Sequence, residues 1–326
     1  MMIVRRLTLA ALFSVALAPM ITPQGVDRHT SLRIGLVTAD SANASPAAAS
    51  VARGVRLGAD EAKQTAALFG NDVELYEADG AGDAAGAAER LLSTRKIHVL
   101  IGTSAGDAGS LSRFAESHHL IFLNTASRSQ ALRAMCRRYT FHVDATDAMY
   151  ANAAHIAQQW PVTISASASA EVATSGRDSV TLWGSTLQRF GASQLNDRYR
   201  DKYHLWMDGF AWAGWAAAKI VAEAALRTRS TSPGKLMAYL ELPTTQFDGH
   251  KGWPLTFRIA DHQLRQPLYI AVLLGAGGYR FRDVPELRDD TSLGAPSNRG
   301  PRTPYRVLLD SLIASPGARA CTWRTK

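Results

Sequence analysis

Residues 97–107 read IHVLIGTSAGD, and this stretch decides the fold class of the chain. The nearly continuous apolar run 97–101 predicts a strand that is buried on both faces. The Gly/Ser-rich segment 102–106 predicts a turn, and a helical pattern then runs from Asp107 to His118. A buried strand that passes through a short turn into a helix is typical of a parallel α/β sheet.

The same alternation of strand and helix extends outward from this unit over residues 33–143. Pro46 opens one predicted helix, which runs to Phe69, and Asp83 caps another that continues through Leu92. Alternation at this spacing predicts right-handed βαβ units and a doubly wound parallel sheet. The predicted strands cover residues 33–38, 73–76, 97–101, 120–123 and 139–143.

The second half of the chain has a less regular pattern. A Ser/Ala-rich segment, 163–170, predicts a linker or a weak strand. The most apolar segment, 210–226, contains Lys219 and Glu223, which favours a buried helix over a membrane span. The remaining predicted elements are helices at 150–159, 187–203, 210–227 and 233–240, and strands at 179–183, 254–258 and 268–274.

The N-terminus has the pattern of a secretory signal peptide. Arg5 and Arg6 precede an apolar run at 7–18, which is shorter than the roughly 20 residues that span a bilayer. We expect residues 1–23 to be removed and the mature protein to be soluble in the periplasm, not an integral membrane protein. A buried first helix is the alternative interpretation.

The positive charge lies at the two ends of the sequence. The chain has 326 residues and a formal net charge of +8, of which residues 299–326 carry a net +5 and the leader a net +2. No aromatic residues interleave a basic stripe, so we expect no nucleic-acid partner. Without a Walker motif, a dinucleotide fingerprint or metal-ligand spacing, we expect no cofactor and no metal.

Cys136 and Cys321 are the only two cysteines. In an oxidising compartment they can pair. The bridge would close a loop of about 185 residues and contribute roughly 5 kcal/mol in the loop-entropy model. It would tie the C-terminal tail to the first domain. Two unpaired thiols are the alternative.

The turn at 102–106 permits two chemical interpretations. It matches the G-x-S-x-G nucleophile elbow, in which Ser104 would attack an ester with Asp248 and either His250 or His262 as partners. Alternatively, its backbone N–H groups at a helix N-terminus bind an anion. The next strand end, 124–128, adds Arg128, which can pair with a carboxylate or phosphate. Two polar turns that merely connect elements remain the simpler interpretation.

Several segments in the same order resemble the Leu/Ile/Val-type periplasmic binding proteins that serve ABC transporters. They are IGLV (34–37), RGVRLGA (53–59), Asp79 with Gly82 and Asp83, VLIG (99–102), FHV (141–143) with Asp147, and GASQLN (191–196). Two later segments, FDGHKGWPLTFR (247–258) and DHQLRQPL (261–268), resemble the branch associated with pyrroloquinoline-quinone-dependent alcohol dehydrogenase systems. DTSLG (290–294) and the late cysteine suit that branch.

The resemblance implies two α/β lobes joined by crossing strands, with hinge closure around a ligand in the cleft. Residues 31–140 and 184–245 correspond to lobe 1, residues 141–183 and 246–285 to lobe 2, and residues 286–326 to a basic tail. The implied partner is an ABC permease or a periplasmic dehydrogenase component, and no catalysis is expected. The implied ligand contacts are Ser104, Ala105, Gly106, Asn124, Thr125, Ala126, Ser127 and Arg128; Trp183 could also line the cleft, or belong to the core.

Two departures from the family pattern qualify these expectations. Arg128 stands where amino-acid binders carry a threonine, which favours an anionic ligand. Only 19 residues, 160–178, span a gap that holds several βαβ units in the family, and one such unit needs about 30 residues. We therefore expect a reduced second lobe and weak binding of a small ligand. The alternative function is a degenerate lobe that acts as a periplasmic interaction or accessory protein.

Overall fold

The computed structural model describes residues 30–38, 45–158, 180–273, 279–283 and Cys321. The predicted signal peptide, the Ser/Ala-rich segment 163–170 and the basic tail apart from Cys321 lie outside the described residues. Predictions for those segments remain predictions.

Five parallel strands form the main sheet in the order β2-β1-β3-β4-β5. The sheet confirms the predicted doubly wound α/β class. Because β1 lies between β2 and β3, successive connections leave it in opposite directions, and ligands of such sheets bind at the carboxyl ends of the strands beside this switch point. The strands are β1 (Ser31–Thr38), β2 (Asp72–Asp79), β3 (Val99–Gly102), β4 (Ile121–Asn124) and β5 (Thr140–His142).

Helices cover both faces of the main sheet, as the buried pattern of its central strands requires. On β3, Ile101 packs into the cluster formed with α1 and α7, and Leu100 into the cluster formed with α2 and α3. The helices are α1 (Pro46–Ala67), α2 (Ala84–Arg95), α3 (Ala108–His118), α4 (Gln130–Ala134), α5 (Asp147–Gln158), α6 (Ala192–Tyr203), α7 (Gly209–Thr228) and α8 (Pro233–Glu241).

The remaining described strands form two small antiparallel sheets. They have the orders β11-β10-β6 and β7-β8-β9. The turn between β8 and β9 pairs with the edge of the main sheet, where the backbone N–H of His142 donates to the carbonyl of His262 at 2.9 Å. The strands are β6 (Val180–Thr181), β7 (Phe247–Asp248), β8 (Pro254–Phe257), β9 (Leu264–Arg265), β10 (Tyr269–Leu273) and β11 (Tyr279–Asp283).

The helices α1 and α7 touch backbone to backbone. A Cβ atom on Gly54 would lie 1.9 Å from the carbonyl oxygen of Ala211, and one on Gly214 would lie 2.3 Å from that of Val51. Trp212 and Trp215 on α7 are buried, at 0% and 1% exposure, in agreement with the buried helix predicted at 210–226. Glycine and alanine therefore set the separation of the two longest helices.

One predicted helix boundary was wrong. The helix predicted from residue 187 begins only at Ala192, because Phe190 and Gly191 adopt φ values of +58° and +81°. A left-handed pair interrupts helical hydrogen bonding. By contrast, Asp83 caps α2 as predicted, with its Oδ1 accepting from the N–H of Gly86 at 2.8 Å.

Cys136 and Cys321 form a disulfide, with their Cα atoms 5.4 Å apart. The N–H of Cys321 also donates to the carbonyl of Ala260, at 2.7 Å, in the β8–β9 turn. Cys321 is thus held between Cys136, two residues after the end of α4, and the turn that docks on β5.

We expect Gly54→Ala to lower the free energy of unfolding by about 1–3 kcal/mol, because the added methyl forces α1 and α7 apart. The matched control is Gly109→Ala on α3, where an added Cβ meets no atom within 4 Å. The control should leave stability unchanged or raise it by up to about 1 kcal/mol. Urea unfolding measures both variants, and equal stabilities would contradict the close approach.

We expect the Cys136→Ser, Cys321→Ser double variant to lose about 2–5 kcal/mol of unfolding free energy, because the unfolded chain is no longer constrained by the bridge. Urea unfolding of the parent with and without reductant measures the same effect. The double variant serves as the control, since reductant should not change its midpoint. A parent whose thiols become reactive without any loss of stability would disprove this expectation.

Candidate functional site

An open cavity of about 590 Å³ lies at the carboxyl ends of β3 and β4, beside the switch point of the main sheet. Four helices contribute residues from their N-terminal ends. Partial positive charge accumulates at such ends. The lining residues are Ser45, Ala47, Ala48, Thr103, Ala105, Ala126, Ser127, Arg128, Ser129, Gln130, Asp147 and Phe210.

Local sequence signals place these helix starts at the cavity. Ser45 caps α1, its Oγ accepting from the N–H of Ala48 at 3.2 Å, and Pro46 occupies the first helical position. Asp208 caps α7, its Oδ1 accepting from the N–H of Ala211 at 2.8 Å. The Oγ of Ser50 on α1 donates to the same oxygen at 2.6 Å, which joins the two helix starts.

The loop after β4 is held rigid from behind. The Asn124 side chain accepts from the N–H of Ser127 at 3.0 Å and donates to its carbonyl at 2.8 Å. The Thr125 hydroxyl donates to the carbonyl of Gly102 on β3 at 2.9 Å. Asn124 and Thr125 are therefore buried supports of the loop, and Ala126 and Ser127 face the cavity.

Arg128 is the cation of the cavity and is held in one position. Its Nε donates to Oδ2 of Asp144 at 3.1 Å, and its Nη2 to the hydroxyl of Tyr150 at 3.4 Å. The guanidinium carbon lies 4.1 Å from the ring centroid of Tyr150 and 5.1 Å from that of Phe210. Burial acts to lower the pKa of Arg128, but Asp144, Tyr150 and Asp147 together outweigh it and the pKa is raised. Arg128 therefore stays charged.

Two carboxylates limit the positive potential that Arg128 creates. Asp144 is 1% exposed and lies directly behind the guanidinium. Asp147, the first residue of α5, lies in the cavity wall itself. A ligand that carries several negative charges would be repelled by both carboxylates. The arrangement suits a single negative charge better than a phosphate or a dicarboxylate.

The structure brings four of the predicted contact residues to the cavity: Ala105, Ala126, Ser127 and Arg128. Ser104 and Gly106 lie in the same turn but not in the lining. Trp183 is 1% exposed, and its Nε1 donates to Oδ1 of Asn196 at 2.8 Å. It belongs to the core, so the simpler of its two interpretations is the right one.

Sequence reasoning missed most of the wall. These residues precede or begin helices that are far apart in sequence, so only their cap signals, such as Ser45 with Pro46, could have pointed to them. Except for Asp147, every lining residue falls within the segments assigned to lobe 1, and none comes from 180–183 or the described residues beyond 245. The missed residues are Ser45, Ala47, Ala48, Thr103, Ser129, Gln130, Asp147 and Phe210.

The residues of the hydrolase interpretation are not assembled into a triad. His262 is fully buried, with Nδ1 3.2 Å from the carbonyl oxygen of Thr140 and Nε2 3.1 Å from Oε1 of Glu241. The His250 ring stacks on Trp215 at 5.3 Å. Among the described residues, no histidine is hydrogen-bonded to Ser104, which therefore has no base.

Neither a metal cluster nor a membrane span is found in the part of the chain that the structure describes. No group of three or more His, Cys, Asp or Glu side chains is placed to hold an ion. No described helix is long and apolar enough to cross a bilayer.

The following solved structures share the fold and are distant in sequence. A branched-chain amino acid ABC transporter protein from Rhodopseudomonas palustris superposes with a TM-score of 0.62 at 16% identity, over 78% of this chain and 95% of that one. The substrate-binding protein LivJ from Streptococcus pneumoniae, in complex with isoleucine, superposes with a TM-score of 0.58 at 14% identity, over 78% of this chain and 99% of that one.

A solute-binding protein of an ABC transporter from R. palustris, in complex with benzoate, gives a TM-score of 0.58 at 15% identity, over 78% of this chain and 96% of that one. At these identities the likeness shows the fold alone. A search of curated proteins finds no match.

The sequence itself carries the family assignment. The family model described as periplasmic binding protein matches residues 31–199, just over half of the chain. The match contains the main sheet, the helices α1 to α5 and the loops that form most of the cavity. The chain belongs to the periplasmic binding protein family.

Proposed function

We propose that this protein is the periplasmic solute-binding component of an ABC transporter and that it holds a small monocarboxylate in the cavity beside β3 and β4. The observation that carries the proposal is the fixed guanidinium of Arg128 at the junction of several helix N-termini. Its role is to bind a solute, not to catalyse a reaction.

The polar side of the cavity has the donors that a carboxylate needs. Thr103, Ser127 and Ser129 line the cavity together with Arg128, and each carries a hydroxyl group. Hydrogen bonds from charged or dipolar donors to a carboxylate are stronger than those between neutral groups. Asp147 at the rim then disfavours a second negative charge on the same ligand.

The remaining wall is apolar and has room for a compact hydrocarbon body. Ala47 and Ala48 come from α1, Ala105 and Ala126 from the two strand-end loops, and Phe210 from α7. Small side chains leave the volume free, and the Phe210 ring gives it an apolar surface. A carboxylate with a short aliphatic or aromatic body fits both sides of the cavity.

The ligands of structurally similar proteins support a carboxylate as the ligand here. The resemblance to the quinone-associated branch supports alcohol oxidation as the source of that carboxylate. Isoleucine and benzoate, bound by the proteins from S. pneumoniae and R. palustris, each carry a carboxylate. The segment 247–258 resembles the branch linked to quinone-dependent alcohol oxidation. Oxidation of a primary alcohol through the aldehyde to the acid yields a monocarboxylate. We therefore extend the proposal to an acid formed in such a system.

A second function is favoured by the one-sided wall of the cavity. Small-molecule sites bury most of the ligand surface, and here the described residues beyond 245 add nothing to the lining. A chain of this kind can act as a periplasmic accessory protein that docks on a dehydrogenase component. Neighbouring permease and ATPase genes would favour transport, and their absence together with a co-purifying dehydrogenase would favour docking.

We expect benzoate and short-chain monocarboxylates to raise the melting temperature in a thermal-shift screen. Saturation at 100 times Kd stabilises a protein by roughly 2.7 kcal/mol, which corresponds to a rise of roughly 5 °C. Succinate, phosphate and pyrroloquinoline quinone, which carry several charges, serve as controls and should have little effect. A rise with the multiply charged compounds alone would refute the monocarboxylate assignment, and no rise with any compound would refute solute binding.

We expect Arg128→Met to weaken binding of the best monocarboxylate by about 10- to 100-fold, because a charge-assisted hydrogen bond is lost. The same change leaves the buried Asp144 carboxylate without its cation and lowers the unfolding free energy by about 3 kcal/mol. The double variant R128M/D144N should regain most of that stability but not the binding.

Isothermal titration and urea unfolding separate these two effects. The matched control is Arg113→Met on the exposed face of α3, which should change neither quantity. Full binding by the double variant would show that Arg128 has no part in recognition.

A further inference from the structure

Three segments lie beside the lobe boundaries that the family resemblance implies: residues 142–146 after β5, residues 180–183 with β6, and residues 247–253 with β7. We call these the hinge segments, because they occupy the places where the family's lobes cross. A single buried chain of polar contacts joins all three.

Lys251 joins the third hinge segment to the second. It is 2% exposed, and its Nζ donates to the carbonyl of Leu182 at 2.8 Å, to Oε1 of Gln266 at 2.9 Å and to the carbonyl of Pro267 at 3.2 Å. Its Nζ also lies 3.7 Å from the centroid of the Trp212 ring on α7. Burial lowers the pKa of Lys251, and the three acceptors match the three N–H donors of its protonated ammonium.

Gln266 and Gln263 extend the contacts to the first hinge segment. Nε2 of Gln266 donates to the carbonyl of Val143, so one amide links Val143 to Lys251. Nε2 of Gln263 donates to the carbonyl of Asp144 at 2.9 Å. Both glutamines are fully buried, with exposures of 0% and 1%.

Arg133 completes the network from the side of the cavity loop. Its Nη2 donates to the carbonyl of Asp144 at 2.8 Å and its Nε to Oε1 of Gln263 at 3.2 Å. Its Nη1 donates to the carbonyl of Ser127, at 2.6 Å, in the cavity loop. The guanidinium therefore contacts the first hinge segment, the β8–β9 region and the ligand site at once.

Apolar contacts cross the same boundary. The rings of Trp183 and Trp212 stack with centroids 6.1 Å apart, and those of Phe141 and Phe257 meet edge to face at 5.0 Å. All four residues belong to one continuous core. Beyond this boundary the described residues form one separate cluster, Tyr269, Ala271 and Phe281 on β10 and β11, which packs against Leu187 and is much smaller than the shared core.

We propose that this network locks the hinge, so that the cavity has the same shape with and without a ligand. This inference concerns the working of the same site and rests on the solute-binding function proposed above. Moving the segments apart would leave a buried ammonium and a buried guanidinium without acceptors, which proteins strongly disfavour. A ligand would have to prefer a closed form by about 10⁴-fold to convert an open population into a closed one.

The position of the cavity agrees with a locked hinge. Apart from Asp147, its lining comes from residues 45–130 and Phe210, all on one side of the network. Closure would bring no described residue from beyond 245 across the site, because Lys251, Gln263 and Gln266 already hold that part of the chain in the core. Recognition therefore uses a preformed, one-sided surface.

Pulsed electron paramagnetic resonance tests the lock. Spin labels attached through a noncanonical keto amino acid at Glu89 and Ile259 leave the disulfide intact; both positions are exposed, at 54% and 45%. They report the distance between α2 and the β8–β9 turn. The full mature chain is measured alone and with saturating benzoate, whose binding is followed separately by titration.

We expect one narrow distance population for the parent, shifted by less than about 2 Å with benzoate, which is the range of pre-organised complexes. Lys251→Met and Gln266→Leu should broaden that distance population or add a second one. The control Lys235→Met, on the exposed face of α8, should leave it unchanged. Two populations in the unliganded parent, or a larger shift with benzoate, would overturn the lock. If a folded Lys251→Met variant keeps the distance distribution of the parent, Lys251 is not part of the lock.

The parent measurement decides even where a lock variant does not fold. A single population without benzoate binding would refute the proposed ligand class and leave the lock standing. Benzoate binding with a large shift would support solute binding and refute the lock.

Discussion

The buried aspartate at position 144 is the residue on which both the site and its support depend. A carboxylate that is 1% exposed is tolerated only when its charge is compensated. Arg128 supplies the cation. The Tyr150 hydroxyl and the backbone N–H of Ala145 donate to Oδ1 of Asp144 at 2.9 and 2.7 Å. The carbonyl of the same residue accepts from Arg133 and Gln263. One residue thus orients the cation of the cavity and anchors the hinge.

The small sheet of β7, β8 and β9 packs into the core of the main sheet. A complete lobe would have its own sheet and core, but here β8 and β9 dock on the edge of the main sheet and share its core. Buried polar groups lie between these elements, and among the described residues every buried side-chain nitrogen and oxygen has a hydrogen-bond partner. Such groups specify one arrangement, because each donor has its acceptor only there. The consequence is a stable scaffold that presents a binding surface from one side.

The accuracy of the sequence predictions differed between the sheet and the site for a physical reason. The apolar run at 97–101 and the cap at Asp83 are local signals, and β3 and α2 formed as predicted. The polar loop at 124–128 was also recognisable from the sequence. The sequence did not show which of its residues support the loop and which line the cavity. Asn124 and Thr125 turn inward to brace the loop, and only the contacts with Gly102 and Ser127 decide this.

By itself, the sequence determined a parallel sheet with polar loops at its carboxyl ends, because strand period, turn residues and helix caps act over a few neighbouring positions. It also predicts a reduced second lobe, since 19 residues are too few for a βαβ unit. Only the tertiary structure decided that Phe210 and Asp147 join the cavity and that Lys251 lies in the core. Each of these placements depends on partners 15 or more residues away in the chain, and no local pattern encodes which distant carbonyl a buried donor will meet.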